Sequence, residues 1–348
     1  MEAPETEGMA RPLPRLARHA RRAAGSDAGA PVWREPGPET AGVAVVENRN
    51  PDLRLDHWIM GNRGELESWL QRHGAIHFSG FGVEDAAEFS GVAAELCGEL
   101  TEEYGDLPRA QLGERIYHTT PYPAHQSILL HNEGAHLPAW PERMCFYCQV
   151  PADEQGETTL LDARLMWDLL DDELRTGLET KGMGYVRNFH PRVDQPWQEV
   201  FQTVDRAVVE ARCQAAGIRM AWTAGDALRT VYTVPARLRS PATGELLFFS
   251  QIFLFHPACL DPATRASLRA LYAEEDLPRN LTYGDGSPIP DQLVLRFLDA
   301  CEERTLRVPW KAGEICLVDN VRFSHGRRPY AGARRVLVAM GGMGGRSR

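Results

Sequence analysis

The 348-residue sequence has no apolar run approaching the roughly 18 residues that a membrane-spanning helix needs. A helical membrane protein is therefore excluded. It also lacks an excess of positive charge, with 38 Lys and Arg against 48 Asp and Glu and a net charge of −10. That balance argues against a nucleic-acid binder, which normally needs a basic face to neutralise phosphates, and leaves room only for a local basic patch. The stretch from Met1 to Val43 has neither a basic start followed by an apolar core nor a small-residue cleavage site. No secretory signal is read there, and a cytoplasmic protein is expected. Cysteine is sparse: the seven are scattered and odd in number, which suits reduced thiols better than a disulfide framework. What the chain does have is 43% hydrophobic and 25% charged residues, the composition of a core-forming globular protein.

Prolines 12, 14, 31, 36 and 38 oppose regular structure near the start, so residues 1–43 are expected to form a flexible tail. Residues 44–348 are then one domain. Leu66, Trp69 and Leu70 have helical spacing and stop at Gly74, after which Ala75 to Phe78 reads as a buried strand. Helices are expected over residues 86–100, 162–178 and 263–271, the last behind the Asp261-Pro262 cap. Strands are expected over residues 144–150, 246–255, 313–320 and 335–340. Strands far apart in sequence and without regular βα alternation favour an antiparallel sandwich or barrel with helices outside, an α+β chain that is mainly β.

The segment from Ile128 to Gly134 carries the chemistry. On a strand, His131 and Glu133 would share a face and offer an imidazole and a carboxylate to one ion. His325 is the distant candidate for a third ligand. Two His and one carboxylate leave open positions on iron, the arrangement of non-haem Fe(II) oxygenases.

The ordered motifs His131-Asn132-Glu133, Trp140-Pro141, Phe146-Tyr147-Cys148, Gly156-Glu157-Thr158 and Asp162-Ala163-Arg164 resemble those of the TauD/TfdA-like Fe(II)/2-oxoglutarate dioxygenases. The closing run from His325-Gly326-Arg327-Arg328-Pro329-Tyr330 to Met340 extends the likeness over about residues 55 to 341. The syringomycin-type amino-acid hydroxylases are the branch it is most similar to. The resemblance implies a double-stranded β-helix (jelly-roll) core with flanking helices and a lid insertion within about residues 162–314. It implies Fe(II) on His131, Glu133 and His325, 2-oxoglutarate on Thr158 and on Arg334 or Arg335, and O2 as oxidant. Adjacent residues on a strand face opposite sides, so one of the two arginines is the carboxylate anchor and the other is not. Gln126, Asn188, Gln251 and Arg322 are candidate substrate residues from the matched segments. Two departures, Ser250-Gln251 where relatives often have Asn-Gln and Ile128-Leu129-Leu130 where a Pro is common, bear on substrate identity. Relatives that halogenate leave the carboxylate position to chloride. Here Glu133 fills it, which implies hydroxylation or another oxidation of an amino-acid-like substrate, free or tethered to a peptidyl carrier protein.

Three rival readings follow from the same residues. His131-Asn132-Glu133 followed by Cys145 and Cys148 is partly like a zinc nucleobase deaminase, although residues three apart on a strand face opposite sides. Glu133-Gly134-Ala135-His136 has the spacing of a di-iron helix motif, but Gly134 and Pro138 make a helix poor there. A non-catalytic carrier-protein binder would keep the fold and lose a ligand, whereas the full set is present here. The Arg327-Arg328 pair suits an acidic carrier or, more simply, a solvated face.

Overall fold

In this computed structural model the structure describes residues 29–101, 111–113, 115–118, 122–189 and 194–346. The chain starts with strands β1 (Val32–Arg34) and β2 (Ala44–Glu47), helix α1 (Leu55–His73), β3 (Ala75–Ser79) and α2 (Ala86–Cys97). Short strands β4 (Gln111–Gly113) and β5 (Ile116–His118) precede β6 (Ile128–His131) and the long β7 (Ala139–Val150). Next come β8 (Glu154–Gln155), β9 (Thr158–Asp162), α3 (Ala163–Leu169), α4 (Asp172–Lys181) and β10 (Met183–Phe189). They are followed by α5 (Trp197–Val200), α6 (Arg206–Ala216), β11 (Arg219–Thr223), β12 (Ala227–Val234), β13 (Arg237–Arg239) and β14 (Leu246–Phe248). Then α7 (Ile252–Phe255), α8 (Pro262–Leu271), β15 (Arg279–Tyr283) and α9 (Asp291–Arg304) lead to β16 (Leu306–Val308). The chain closes with β17 (Ile315–Asp319), β18 (Phe323–Arg327), β19 (Tyr330–Ala331) and β20 (Arg335–Gly345).

Local chemistry sets many of these boundaries. The Asp85 carboxylate accepts from the Ala87 and Glu88 N–H groups and starts α2, and Asp162 caps α3 through the Arg164 N–H. Gly74 ends α1 in the left-handed region at φ 73°, its N–H on the Leu70 carbonyl. A Cβ there would come within 2.6 Å of Arg322 and Phe323, so the helix stop is also a close approach of two elements.

Two sheets face each other. One has eight strands in the order β1-β2-β3-β17-β7-β20-β5-β4, and the other has four, β16-β9-β18-β6. Between them lies a core that includes Phe146, Val336, Val338 and Met340 from the large sheet and Leu160, Val308 and Phe323 from the small one. The other face of the large sheet is covered by α1 and α2 over Ile76, Phe89, Leu96 and Tyr147. This is the double-stranded β-helix core expected from the sequence. Between β9 and β16 the chain inserts a third sheet, β11-β12-β10-β15, with helices α3 to α9. Its core is continuous with the small sheet through Leu130, Trp140, Tyr185 and Phe249.

Three expectations need correction. Residues 1–28 of the expected tail lie outside the described residues, but β1 pairs with β2, and Trp33 stacks on Trp69 with ring centroids 4.5 Å apart. The ordered body thus begins before residue 44, because Trp33 brings apolar area to the α1 face that outweighs the nearby prolines. Residues 246–255 are not one strand: β14 stops at Phe248 and α7 begins at Ile252, with a turn around Ser250 and Gln251 between them. Residues 162–178 form two helices, broken at Leu170 and recapped by the Asp171 carboxylate on the Leu174 N–H.

Candidate metal centre and its cavity

His131 ends β6 and His325 sits in the middle of β18, directly opposite in the antiparallel register. Their ring centroids are 4.4 Å apart. With Glu133 they form a buried group whose ligand atoms all lie within 4.8 Å of one another, close enough to share one ion. His131 Nδ1 is 2.8 Å from the Leu129 carbonyl, which keeps the proton on Nδ1 and presents Nε2 as the ligating nitrogen.

Glu133 reaches the group by a different route from the one its spacing suggests. Strand β6 has already ended, and the residue lies in a turn. The fully buried Asn320 holds that turn: its Oδ1 accepts from the Glu133 N–H at 2.8 Å, and its Nδ2 donates to the carbonyls of Glu133 at 3.0 Å and Pro141 at 2.7 Å. Gly134 follows at φ 73°, where a Cβ would meet Trp140 at 2.9 Å. Asn132 points away from the ligands. Its Nδ2 donates to the Asn320 carbonyl, and its Oδ1 accepts from the Ser324 hydroxyl and the Ser250 N–H. Burial pushes the Glu133 carboxyl up to about 8, outweighing the Gly134 N–H that lowers it, so a bound cation would relieve a real electrostatic cost.

The cavity in front of these side chains is walled by Ile128, Met144, Phe146, Val336 and Val338. Thr158, Arg327 and Arg334 supply its other polar groups. Arg334 is the arginine that faces in, continuing the alternation through Val336 and Val338. Its Nε donates to the Gly156 carbonyl at 2.9 Å and its guanidinium lies 5.6 Å from the Tyr330 ring centroid. Burial and then the nearby Arg327 push Arg334 down to about 10, so an anion in the cavity would be favoured. Arg335 is exposed and reaches Gln149, so it does not line the cavity.

The other sequence candidates are mostly tied elsewhere. The Asn188 amide donates to the Glu275 and Leu277 carbonyls. Arg322 is held by Asp162 and by the carbonyls of Gln71 and Arg72 at the end of α1. Gln251 is buried, and its Nε2 donates to the Asn132 carbonyl, so it supports the metal-side turn from behind. The Gln126 carbonyl accepts from Arg327, and its side chain does not line the cavity. Arg327 also corrects an expectation: it is buried on the cavity wall rather than on a basic surface, and Arg328 is paired with Glu302. Sequence reasoning passed over Asn320, Ser324 and Trp310 as functional residues. Their local sequence gives no sign of the partners they meet more than 100 residues away.

Cys145 and Cys148 belong to different cores on opposite faces of β7, so they cannot join one zinc site. Among the described residues the only group of at least three His, Cys, Asp or Glu placed to hold a metal is His131, Glu133 and His325. His136 lies in the turn after Glu133, with its ring against Tyr185 and Phe255, and borders a separate, mainly apolar cavity.

The family model described as taurine catabolism dioxygenase TauD, TfdA family matches residues 37–340. The chain is 32% identical over 299 residues to the dapdiamide synthesis protein DdaC of Enterobacter agglomerans, covering 86% of this chain and 90% of that one. It is 29% identical over 287 residues to a clavaminate synthase-like protein of Arabidopsis thaliana, covering 79% and 83%. The crystal structure of PvcB from Pseudomonas aeruginosa shares the fold at TM-score 0.51 and 15% identity, over 92% of this chain and 94% of that one. A taurine dioxygenase structure from Burkholderia xenovorans does so at TM-score 0.51 and 13% identity, over 90% and 89%. With the His and Glu cluster on a double-stranded β-helix, these matches show that the chain belongs to the TauD/TfdA family of non-haem Fe(II)/2-oxoglutarate-dependent dioxygenases.

Proposed function

We propose that His131, Glu133 and His325 hold Fe(II), that Arg334 and Thr158 hold 2-oxoglutarate, and that the enzyme oxidises an unactivated C–H of an amino-acid-like molecule in secondary metabolism. The observation that carries this reading is the convergence of three buried candidate ligands, the Arg334 guanidinium and the Thr158 hydroxyl on a single cavity. Bound there, iron with 2-oxoglutarate and O2 supplies the oxidising power, and 2-oxoglutarate leaves as succinate and CO2.

The chain's own residues do the rest. His131 and His325 donate neutral nitrogens, and Glu133 adds one negative charge, so positions on the metal stay open for co-substrate and O2. Arg334 grips a carboxylate with a planar fork, and its burial makes that contact stronger than it would be in water. The apolar wall of Met144, Phe146, Val336 and Val338 excludes water from the reacting carbon. The presence of Glu133 supports hydroxylation or a related oxidation over halogenation. The naming of DdaC as a dapdiamide synthesis protein supports a natural-product substrate, free or on a peptidyl carrier protein. We assign the segment between Asp162 and Glu314 as substrate cover, and a cytoplasmic location on the strength of seven free cysteines.

The test is anaerobic titration of the apoprotein with Fe(II) and then 2-oxoglutarate. A visible charge-transfer band that is lost in His131→Ala supports the reading and opens a product-mass screen of free and carrier-bound amino acids. A folded protein that gives no band sinks it and leaves the non-catalytic carrier-protein binder in its place.

A further inference from the structure

Thr158 is fixed by backbone pairing on both sides, to Val308 of β16 and Arg327 of β18, so the rotation of its side chain and hydroxyl is the freedom that remains. The residue is 3% exposed and lines the cavity. Its Oγ1 accepts a hydrogen bond from the indole Nε1 of Trp310 at 3.0 Å. Indole nitrogen can only donate, so this contact occupies an acceptor position on the oxygen and directs the hydroxyl proton elsewhere. Among the described residues no acceptor takes that proton. A buried donor in this state calls for an acceptor supplied by what fills the cavity.

Trp310 is itself firmly seated. It lies in the turn between β16 and β17, and the buried Glu314 closes that turn by accepting from the Lys311 N–H at 2.7 Å. The other Glu314 oxygen accepts from the Ser79 hydroxyl at 2.8 Å, and His77 Nε2 lies 3.2 Å from the carboxylate. The His77 ring packs against Trp310 with centroids 5.5 Å apart. Thus β3 and the turn before β17 together brace an indole whose N–H is aimed at one hydroxyl.

We propose that Trp310 is a positioning residue that sets Thr158 as a hydrogen-bond donor to the carboxylate of the co-substrate, beside Arg334. The inference rests on the reading that this cavity takes 2-oxoglutarate. A hydroxyl free to turn would spend part of its time presenting a lone pair to an anion. With its acceptor side engaged by the indole, it presents a proton, and this orientation is in place before the ligand arrives.

The experiment is a double-mutant cycle read by calorimetric binding of 2-oxoglutarate to Mn(II)-loaded protein, alongside Mn(II) affinity and a thermal melt. Trp310→Phe is expected to weaken 2-oxoglutarate binding roughly fivefold, the scale of one modest hydrogen bond, and to leave Mn(II) affinity within about twofold. Thr158→Val should weaken binding by at least as much, and adding Trp310→Phe to it should cost nothing further. Unchanged affinity in Trp310→Phe overturns the proposal. So does an equal loss in the wild-type and Thr158→Val backgrounds, since that would make the indole a packing element only. If the melt shows that Trp310→Phe does not fold, Trp310→Tyr is measured in the same cycle. A folded wild type that binds Mn(II) but not 2-oxoglutarate overturns the cavity assignment itself, an outcome distinct from a Trp310 effect that is absent.

Discussion

At the scale of single residues, the centre separates groups that would touch the cofactors from groups that hold those groups still. Asn320 belongs to the second kind: both ends of one fully buried amide are spent on the turn that carries Glu133. Asn320→Ala should therefore lower Fe(II) affinity by about 10- to 100-fold, the range seen when supporting partners of metal ligands are removed. Equilibrium metal titration is the check, and undiminished affinity would show that the turn holds without Asn320. The two arginines near the end of the chain give a sharper contrast. Arg334→Ala removes the inward guanidinium and should weaken 2-oxoglutarate binding by roughly 10- to 100-fold, as expected for loss of a charge-assisted contact. Arg335→Ala removes an exposed side chain and should leave that affinity unchanged. Comparing the two by titration tests the assignment, and the opposite result would move the anchor to Arg335.

At the scale of elements, the candidate metal ligands were legible because His131 and Glu133 are close in sequence, yet strand alternation is not what places them. Strand β6 stops at His131, and a turn held from residue 320 does the placing. Alternation did serve for Arg334 and Arg335, where one faces in and the other faces out. The Phe-rich run after Leu246 was misread because hydrophobicity alone does not distinguish a strand from a short buried helix. There the Gln251 N–H donates to the Tyr185 hydroxyl, and Ser250 engages Asn132, contacts that turn the chain into α7. The junction after α7 also makes a pH prediction. His256 accepts the Ala258 N–H on Nδ1 and lies 3.0 Å from the Ile289 carbonyl through Nε2, an arrangement that requires the neutral ring. Burial holds its pKa below the usual histidine value. The folded state binds this proton less readily than the unfolded state, so the stability it contributes is present above about pH 6.5 and is lost as pH falls through the folded value. Melting temperatures taken from pH 7.5 downward should fall more steeply for the wild type than for His256→Gln. Parallel curves would remove His256 as the cause.

At the scale of the whole molecule, the inserted sheet and the small sheet share one continuous core, and the turn between His131 and Glu133 is tied to the insertion through Asn132, which bonds Ser250 and Gln251. Composition and strand patterning made the sandwich legible, but not this continuity, because it depends on contacts such as that of Gln251 with the Asn132 carbonyl that no local pattern encodes. A ligand held by His131, Glu133 and His325 binds only the folded state, so its binding energy adds to the stability of the whole by mass action. With metal and co-substrate each at about 100 times its dissociation constant, the gain is about 2.7 kcal/mol apiece and about 5.4 kcal/mol together. Spread over the unfolding entropy of a chain of this length, that amounts to about 7 °C in melting temperature. Wild-type protein with Mn(II) and 2-oxoglutarate under anaerobic conditions should show this rise, and a chelator should reverse it. His131→Ala should melt close to the apo wild type, because replacing a ligand in a cavity wall removes binding without opening the core, and should show no rise at the same ligand concentrations. An equal rise in His131→Ala would place the stabilising ligand outside this centre.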